Sequence, residues 1–168
     1  MPVRTGQEYI DNLREHQPEV YMCGERVKDV TTHPALRNGV GTLARLYDLQ
    51  HDPALGDQMT YLSPTTGDRV GLSFITPRTR EDLDRRHAMM AHWARMTCGM
   101  MGRSPDFMNV NIMAMAAAAD YFAQNRPDFK KNIQRYYEYV RENDLVLTHT
   151  LLNLQRSRVP GATPLEDR

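Results

Sequence analysis

The 168-residue sequence predicts a mainly α domain carrying one β-hairpin, followed by the first strand of a second, β domain. Three observations predict it. Several segments carry apolar residues at helical spacing; one pair of segments flanks a turn-rich linker; and from Leu145 the pattern changes to Leu-Val-Leu-Thr-His-Thr-Leu-Leu, apolar and partly β-branched. The expected domains are 1–144, helical with a hairpin near 58–75, and 145–168, the opening of a β domain whose remaining strands do not follow.

Thr5-Gly-Gln-Glu8 has the spacing of a capping box, and Tyr9, Ile10 and Leu13 follow it, so a helix is expected to about His16, before Pro18. Val20 to Val30 alternates around Gly24 and reads as extended chain or a short strand. Thr32 and Pro34 open a second helix, with Leu36, Val40, Leu43 and Tyr47 as its stripe, closed by Asp52-Pro53. Met59–Leu62 and Arg69–Ile75 flank Ser-Pro-Thr-Thr-Gly-Asp and form the hairpin. Thr79 caps a long helix to about Gly102, with Leu83, His87, Met90, Ala94 and Met101 on one face. Gly102-Arg-Ser-Pro105 interrupts it, because Pro105 lacks a donor and disfavours a helical Ser104. Asp106 to about Gln124 resumes as helix, apolar almost all round and therefore expected to be buried on most sides. Pro127 opens the last helix, striped by Phe129, Ile133, Tyr136, Tyr137 and Val140.

Composition narrows the function classes. The 21 basic and 21 acidic side chains cancel, which removes the electrostatic footprint of a nucleic-acid binder. The longest apolar run, Ile112 to Ala119, falls far short of the ~20 residues that cross a bilayer. The first residues have no apolar signal core, so a cytoplasmic protein with no membrane partner is expected. Cys23 and Cys98 form neither a C-x-x-C pair nor a Cys/His cluster, so neither a disulfide framework nor a metal site is expected. Basic residues are 18 Arg and 3 Lys, which decides nothing alone. Of 11 Met, eight fall between Met89 and Met115. Met fills irregular cores and also coats surfaces that fit another body, and both readings stand.

Two residues could carry chemistry. Arg103, three residues before Asp106, can bond that carboxylate or free carbonyls at a helix end, or can serve a site. His149 sits in an apolar stretch, as a satisfied core or interface residue or as a proton-transfer group. His87 and His92 read as structural, His33 as a local contact where a helix begins, and Tyr136, Tyr137 and Tyr139 as helix packing.

The order of the pieces adds to this. Gly102-Arg-Ser-Pro-Asp-Phe-Met-Asn109, Gly24-Glu-Arg-Val-Lys-Asp-Val-Thr-Thr-His-Pro34, and Leu147-Thr-His-Thr-Leu151 with Gln155 resemble the 4-hydroxyphenylacetate 3-monooxygenase oxygenase-component family. These are two-component phenol hydroxylases dependent on reduced flavin, and 4-hydroxybutyryl-CoA dehydratases are related to them. The resemblance runs from Thr5 to about Arg158. It implies an acyl-CoA-dehydrogenase-like fold, with a helical N-terminal domain, a middle β-barrel and a C-terminal bundle that assembles a homotetramer.

It further implies reduced FAD supplied by a separate flavin reductase, O2 as co-substrate, and a phenol hydroxylated ortho to its hydroxyl through a flavin C4a-hydroperoxide. Arg103 and His149 take the catalytic positions. Arg103, Ser104, Pro105, Asp106, Phe107 and His149 match the substrate side, and His149, Thr150, Leu151, Gln155, Arg156, Ser157 and Arg158 the flavin side. A permanently charged Arg favours phenolate, and a His moves protons near neutral pH. Where family members often carry Tyr, Phe107 keeps the ring and loses the hydroxyl donor. Two further readings are a helical interaction module without catalysis and a dehydratase-like flavoprotein. Against the second, Cys98 has Gly102 where a cluster-ligating partner would stand.

Overall fold

A computed structural model describes residues 3–99 and 105–148. In chain order they form α1 (Gly6–His16), β1 (Val20–Met22), β2 (Glu25–Val27), α2 (Arg37–Asp48), α3 (Gly56–Met59), β3 (Thr60–Leu62), β4 (Arg69–Gly71), α4 (Arg80–Met96), α5 (Pro105–Ala117), α6 (Ala119–Phe122) and α7 (Asp128–Glu142). The mainly helical expectation holds. The single hairpin does not: β1 pairs with β2, and β3 with β4, as two separate antiparallel hairpins. The first turns at Cys23-Gly24, both with positive φ, so the extended stretch folds back on itself.

Caps explain the boundaries. Thr5 and Thr79 each accept from the backbone N–H three residues on, and Glu8 and Asp82 reach back to the cap N–H, two complete capping boxes. α2 begins at Arg37 rather than at Pro34, because His33 ends a preceding turn: its Nδ1 accepts from Ala35 and its carbonyl from Leu36 and Arg37. α1 lies directly on α2 at Gly6, where a Cβ would stand 2.4 Å from the Ala44 carbonyl oxygen. Gly6 N–H donates to Asp48 (2.7 Å), and Tyr9 stacks on Tyr47.

The expected strand through Ile75 stops at Gly71. A buried 3-10 turn, Leu72–Phe74, replaces its second half and divides the interior. Leu72 joins Leu46, Met59, Ile75, Met89 and Trp93 in one core. Phe74 joins Ile112, Met113, Tyr137 and Val140 in the other. One tight turn thus feeds two hydrophobic clusters, because successive side chains leave it in different directions.

Three expected faces are rotated or halved. α4 buries Arg86, Met89 and Trp93, whereas Leu83 and Met90, on its expected inner face, are exposed. α5 buries Asn109, Ile112 and Met113 but exposes Phe107 and Met115, so it is not enclosed by the described residues. α7 buries Tyr137 and Val140 and exposes Phe129 and Tyr136. The Met-rich stretch is correspondingly mixed: Met89 and Met113 are core, Met90 and Met115 surface. After α7, residues 145–148 carry no strand, although Leu145 and Leu147 pack on the second core. The rest of the expected β element lies outside the described residues.

Candidate active site

Polar groups from three helices converge on the Leu72–Phe74 turn. Asn109 Nδ2 on α5 donates to Ser73 Oγ (2.7 Å), Arg86 on α4 donates to the Ser73 carbonyl (2.8 Å), and Tyr137 on α7 donates to the Phe74 carbonyl. Ser73, Asn109 and Arg86 are all buried. Buried polar groups persist only when partnered, so these bonds tie the three helices to the one turn alongside the apolar contacts. The start of α5, which carries Phe107 two residues before Asn109, is anchored by this arrangement.

A second polar node fastens the two ends of the described chain. Asp144 follows α7 in a left-handed conformation (φ 47°) and is 5% exposed. Its carboxylate accepts from the Arg4 backbone N–H (3.1 Å) and from Gln50 Nε2 (2.9 Å). Its carbonyl accepts from Arg4 Nε (3.0 Å), Arg4 Nη2 (2.6 Å) and Tyr47 OH (3.0 Å). The Arg4 guanidinium also lies over the Tyr47 ring, 4.9 Å from its centre. Burial pushes the Asp144 carboxyl above the ordinary carboxylate range, against the hydrogen bonds from Gln50 and Arg4 and the charge of Arg4. Burial likewise raises the Tyr47 hydroxyl, so it remains a donor. The node sets where Leu145 to Thr148 leave α7, directly before His149 in sequence.

Beside it, Arg141 and Glu142 close the second hairpin onto α7. Arg141 Nε meets Glu142 at 2.7 Å and its Nη2 donates to Thr65 (2.6 Å), with the guanidinium over Tyr137. Glu142 also accepts from Ser63 (2.6 Å) and Thr66 (2.8 Å). Desolvation raises its carboxyl, but the bonds from Ser63, Arg141 and Thr66 outweigh it and leave it below the ordinary value.

Of the residues expected to bind or react, Arg103, Ser104 and His149, Thr150, Leu151, Gln155, Arg156, Ser157 and Arg158 lie outside the described residues. Pro105 and Asp106 begin α5. Phe107 is described, in the first turn of that helix and 42% exposed. Sequence reading missed Arg4, Ser73, Asn109 and Asp144. The hydrogen bonds joining Arg4 to Asp144 span 140 positions, and no local pattern signals such a pairing. The groups of His, Cys, Asp and Glu among the described residues include none able to hold a metal ion, and no described helix is long and apolar enough to cross a membrane.

Comparison with known proteins bears on these positions. A family model described as 4-hydroxyphenylacetate 3-hydroxylase N terminal matches residues 5–168. A 4-hydroxyphenylacetate 3-monooxygenase oxygenase component from Geobacillus sp. (strain PA-9) is 49% identical over 158 residues, covering 94% of this chain and 32% of that protein. A crystal structure of such an oxygenase component, complexed with FAD and 4-hydroxyphenylacetate, superposes with a TM-score of 0.80 at 46% identity, over 96% of this chain and 33% of the other. An archaeal 4-hydroxybutyryl-CoA dehydratase, 23% identical, superposes with a TM-score of 0.73 over 86% of this chain and 28% of its own, which shows a shared fold alone. The chain spans about a third of the length of the relatives it matches. Its architecture is the helical N-terminal part of an acyl-CoA-dehydrogenase-like fold, as the resemblance implied. With the family model spanning nearly its whole length, the chain belongs to the 4-hydroxyphenylacetate 3-hydroxylase N-terminal family.

Proposed function

We propose that this chain is the N-terminal part of the oxygenase component of a two-component, reduced-flavin-dependent monooxygenase that hydroxylates a phenol ortho to its hydroxyl. One observation carries the reading: the likeness, over 96% of the chain, to an oxygenase component solved with FAD and 4-hydroxyphenylacetate bound. Its partners are then a flavin reductase, a phenolic substrate and further copies of itself, in the cytoplasm.

Among the described residues Phe107 bears on fit. Its part-exposed ring in the first turn of α5 offers an apolar face against which an aromatic guest can pack. Bound FAD, reduced beforehand, supplies the activation of O2, and the protein supplies positioning and proton management. In this reading Arg103 holds the phenol oxygen as phenolate, its charge being independent of working pH. His149 hydrogen-bonds the reacting oxygen and moves its proton. Ser104, Pro105 and Asp106 belong with Arg103 to the substrate side, and Thr150, Leu151 and 155–158 to the flavin side. Excluding water from this space keeps activated oxygen for the phenol.

The test is made in the complete oxygenase. Arg103→Ala and His149→Ala should each lower hydroxylation on the order of 10²–10⁴-fold while oxidation of reduced flavin continues, releasing peroxide. Wild-type coupling in both variants would remove the catalytic assignment of these two residues. Phe107→Tyr should shift preference among phenols by about tenfold or less, the worth of one added hydrogen bond. An unchanged substrate profile would show that position 107 does not face the substrate.

A further inference from the structure

A cavity of about 10 Å³ lies where α2, α4, α5 and the chain leaving α7 meet. Leu43, Leu46 and Val146 give it apolar walls. Its polar lining falls into two groups. Tyr47 OH and Gln50 Nε2 are committed to Asp144, through its carbonyl and its carboxylate. Trp93 and Asn109 are the others: Trp93 Nε1 and Asn109 Oδ1 are buried and have no hydrogen-bond partner among the described residues, in residues 7% and 3% exposed.

Those two atoms are complementary. The indole N–H can only donate, and the amide oxygen can only accept. At its other end Asn109 Nδ2 donates to Ser73 Oγ at 2.7 Å, so Oδ1 is the amide atom that still needs a partner. Native interiors rarely leave a buried donor and a buried acceptor unmet, and here both belong to residues that line one small space. The volume matches what a single water needs and is far too small for a phenol or a flavin.

We propose that this cavity is a binding site for one structural water, which accepts from Trp93 Nε1–H and donates to Asn109 Oδ1. The water joins α4 to α5 two residues from Phe107, beside the segment leaving α7, and it completes the polar set begun by Ser73 and Asn109. It belongs to the folded framework and stays in place whether or not ligand is bound. The inference is independent of the catalytic reading above, since neither residue is assigned a part in the reaction.

High-resolution crystal structures of the complete oxygenase, with and without ligand, test it. The expected result is one water peak about 2.7–3.2 Å from both atoms in each state. In Trp93→Phe, which removes the donor and keeps most of the ring, the peak should lose occupancy or move. In Asn109→Leu, whose side chain occupies the space, it should be lost. A direct bond between the two atoms, another side chain serving them, or a wild-type cavity without density would overturn the proposal. So would a fully occupied, unmoved water in Trp93→Phe. If Asn109→Leu does not fold, the wild-type maps and Trp93→Phe decide the matter alone.

Discussion

The Leu72–Phe74 turn and the outer faces of α6 and α7 are similarly rich in apolar and aromatic side chains, yet they end in opposite environments. Leu72 and Phe74 are fully buried, whereas Tyr121 and Tyr139 are 69% and 57% exposed. Apolar content does not separate the two regions. What separates them is polar convergence: the turn's oxygens are met by Asn109, Arg86 and Tyr137 from three helices. A turn without repeating backbone bonds can be buried only when side chains satisfy it, so those helices are drawn inward at particular rotations. Leu83 and Phe129 are left outside although their helical spacing suits a core.

The largest loss of stability is expected at Phe74. Phe74→Ala removes a fully buried ring from the second core and should cost about 3–5 kcal/mol in urea or thermal unfolding. A loss below ~1 kcal/mol would show that the turn is not the centre of the packing.

Glu142→Gln probes the polar side of the same contrast. It removes the charge that accepts from Ser63, Thr66 and Arg141, and should cost about 1.5–3 kcal/mol at neutral pH. Because the folded carboxyl titrates below its ordinary value of 4.5, its contribution is present above that value and is lost as pH falls through the folded one. The gap between wild type and variant in melting temperature should therefore close in acid. Asp144 runs the other way: its folded carboxyl is raised, so its contribution is greatest in acid and declines as pH rises through the folded value. A gap for Asp144→Asn that widens with rising pH would contradict that direction.

Thr79→Ala removes one half of the α4 capping box and should cost about 1 kcal/mol, read as a lower melting temperature. At the outer face, Tyr121→Ser should change stability by no more than about 0.5 kcal/mol. A loss of several kcal/mol there, measured in the complete protein, would show that this face is closed by contacts beyond the described residues.

Much of the fold was legible because its signals are local. Thr5-x-x-Glu8 and Thr79 mark helix starts through side chains that reach three residues. Pro18 follows the α1 stop, and Pro127 stands immediately before α7. The Ser63–Asp68 turn was readable for the same reason. The first hairpin was only half legible: alternation around Gly24 showed extended chain, but pairing of three-residue strands depends on how Cys23-Gly24 turns. Of the expected site, the described residues hold Phe107 and the backbone of Pro105 and Asp106 in α5. Arg103 and His149 rest on the motifs that contain them.

By itself the sequence determined the helical class, the caps and turns, the charge balance and, through three spaced motifs, the family. Each of these is written in residues close together along the chain. Tertiary structure alone decided which faces are inside, why the strand after Arg69 yields to a 3-10 turn, and that Arg4 is held by Asp144. Helical periodicity says which residues share a face, not which of two apolar faces meets a partner. Burial is a collective choice, in which Ser73, Arg86, Asn109 and Tyr137 must find one another's polar atoms before any of them can leave water.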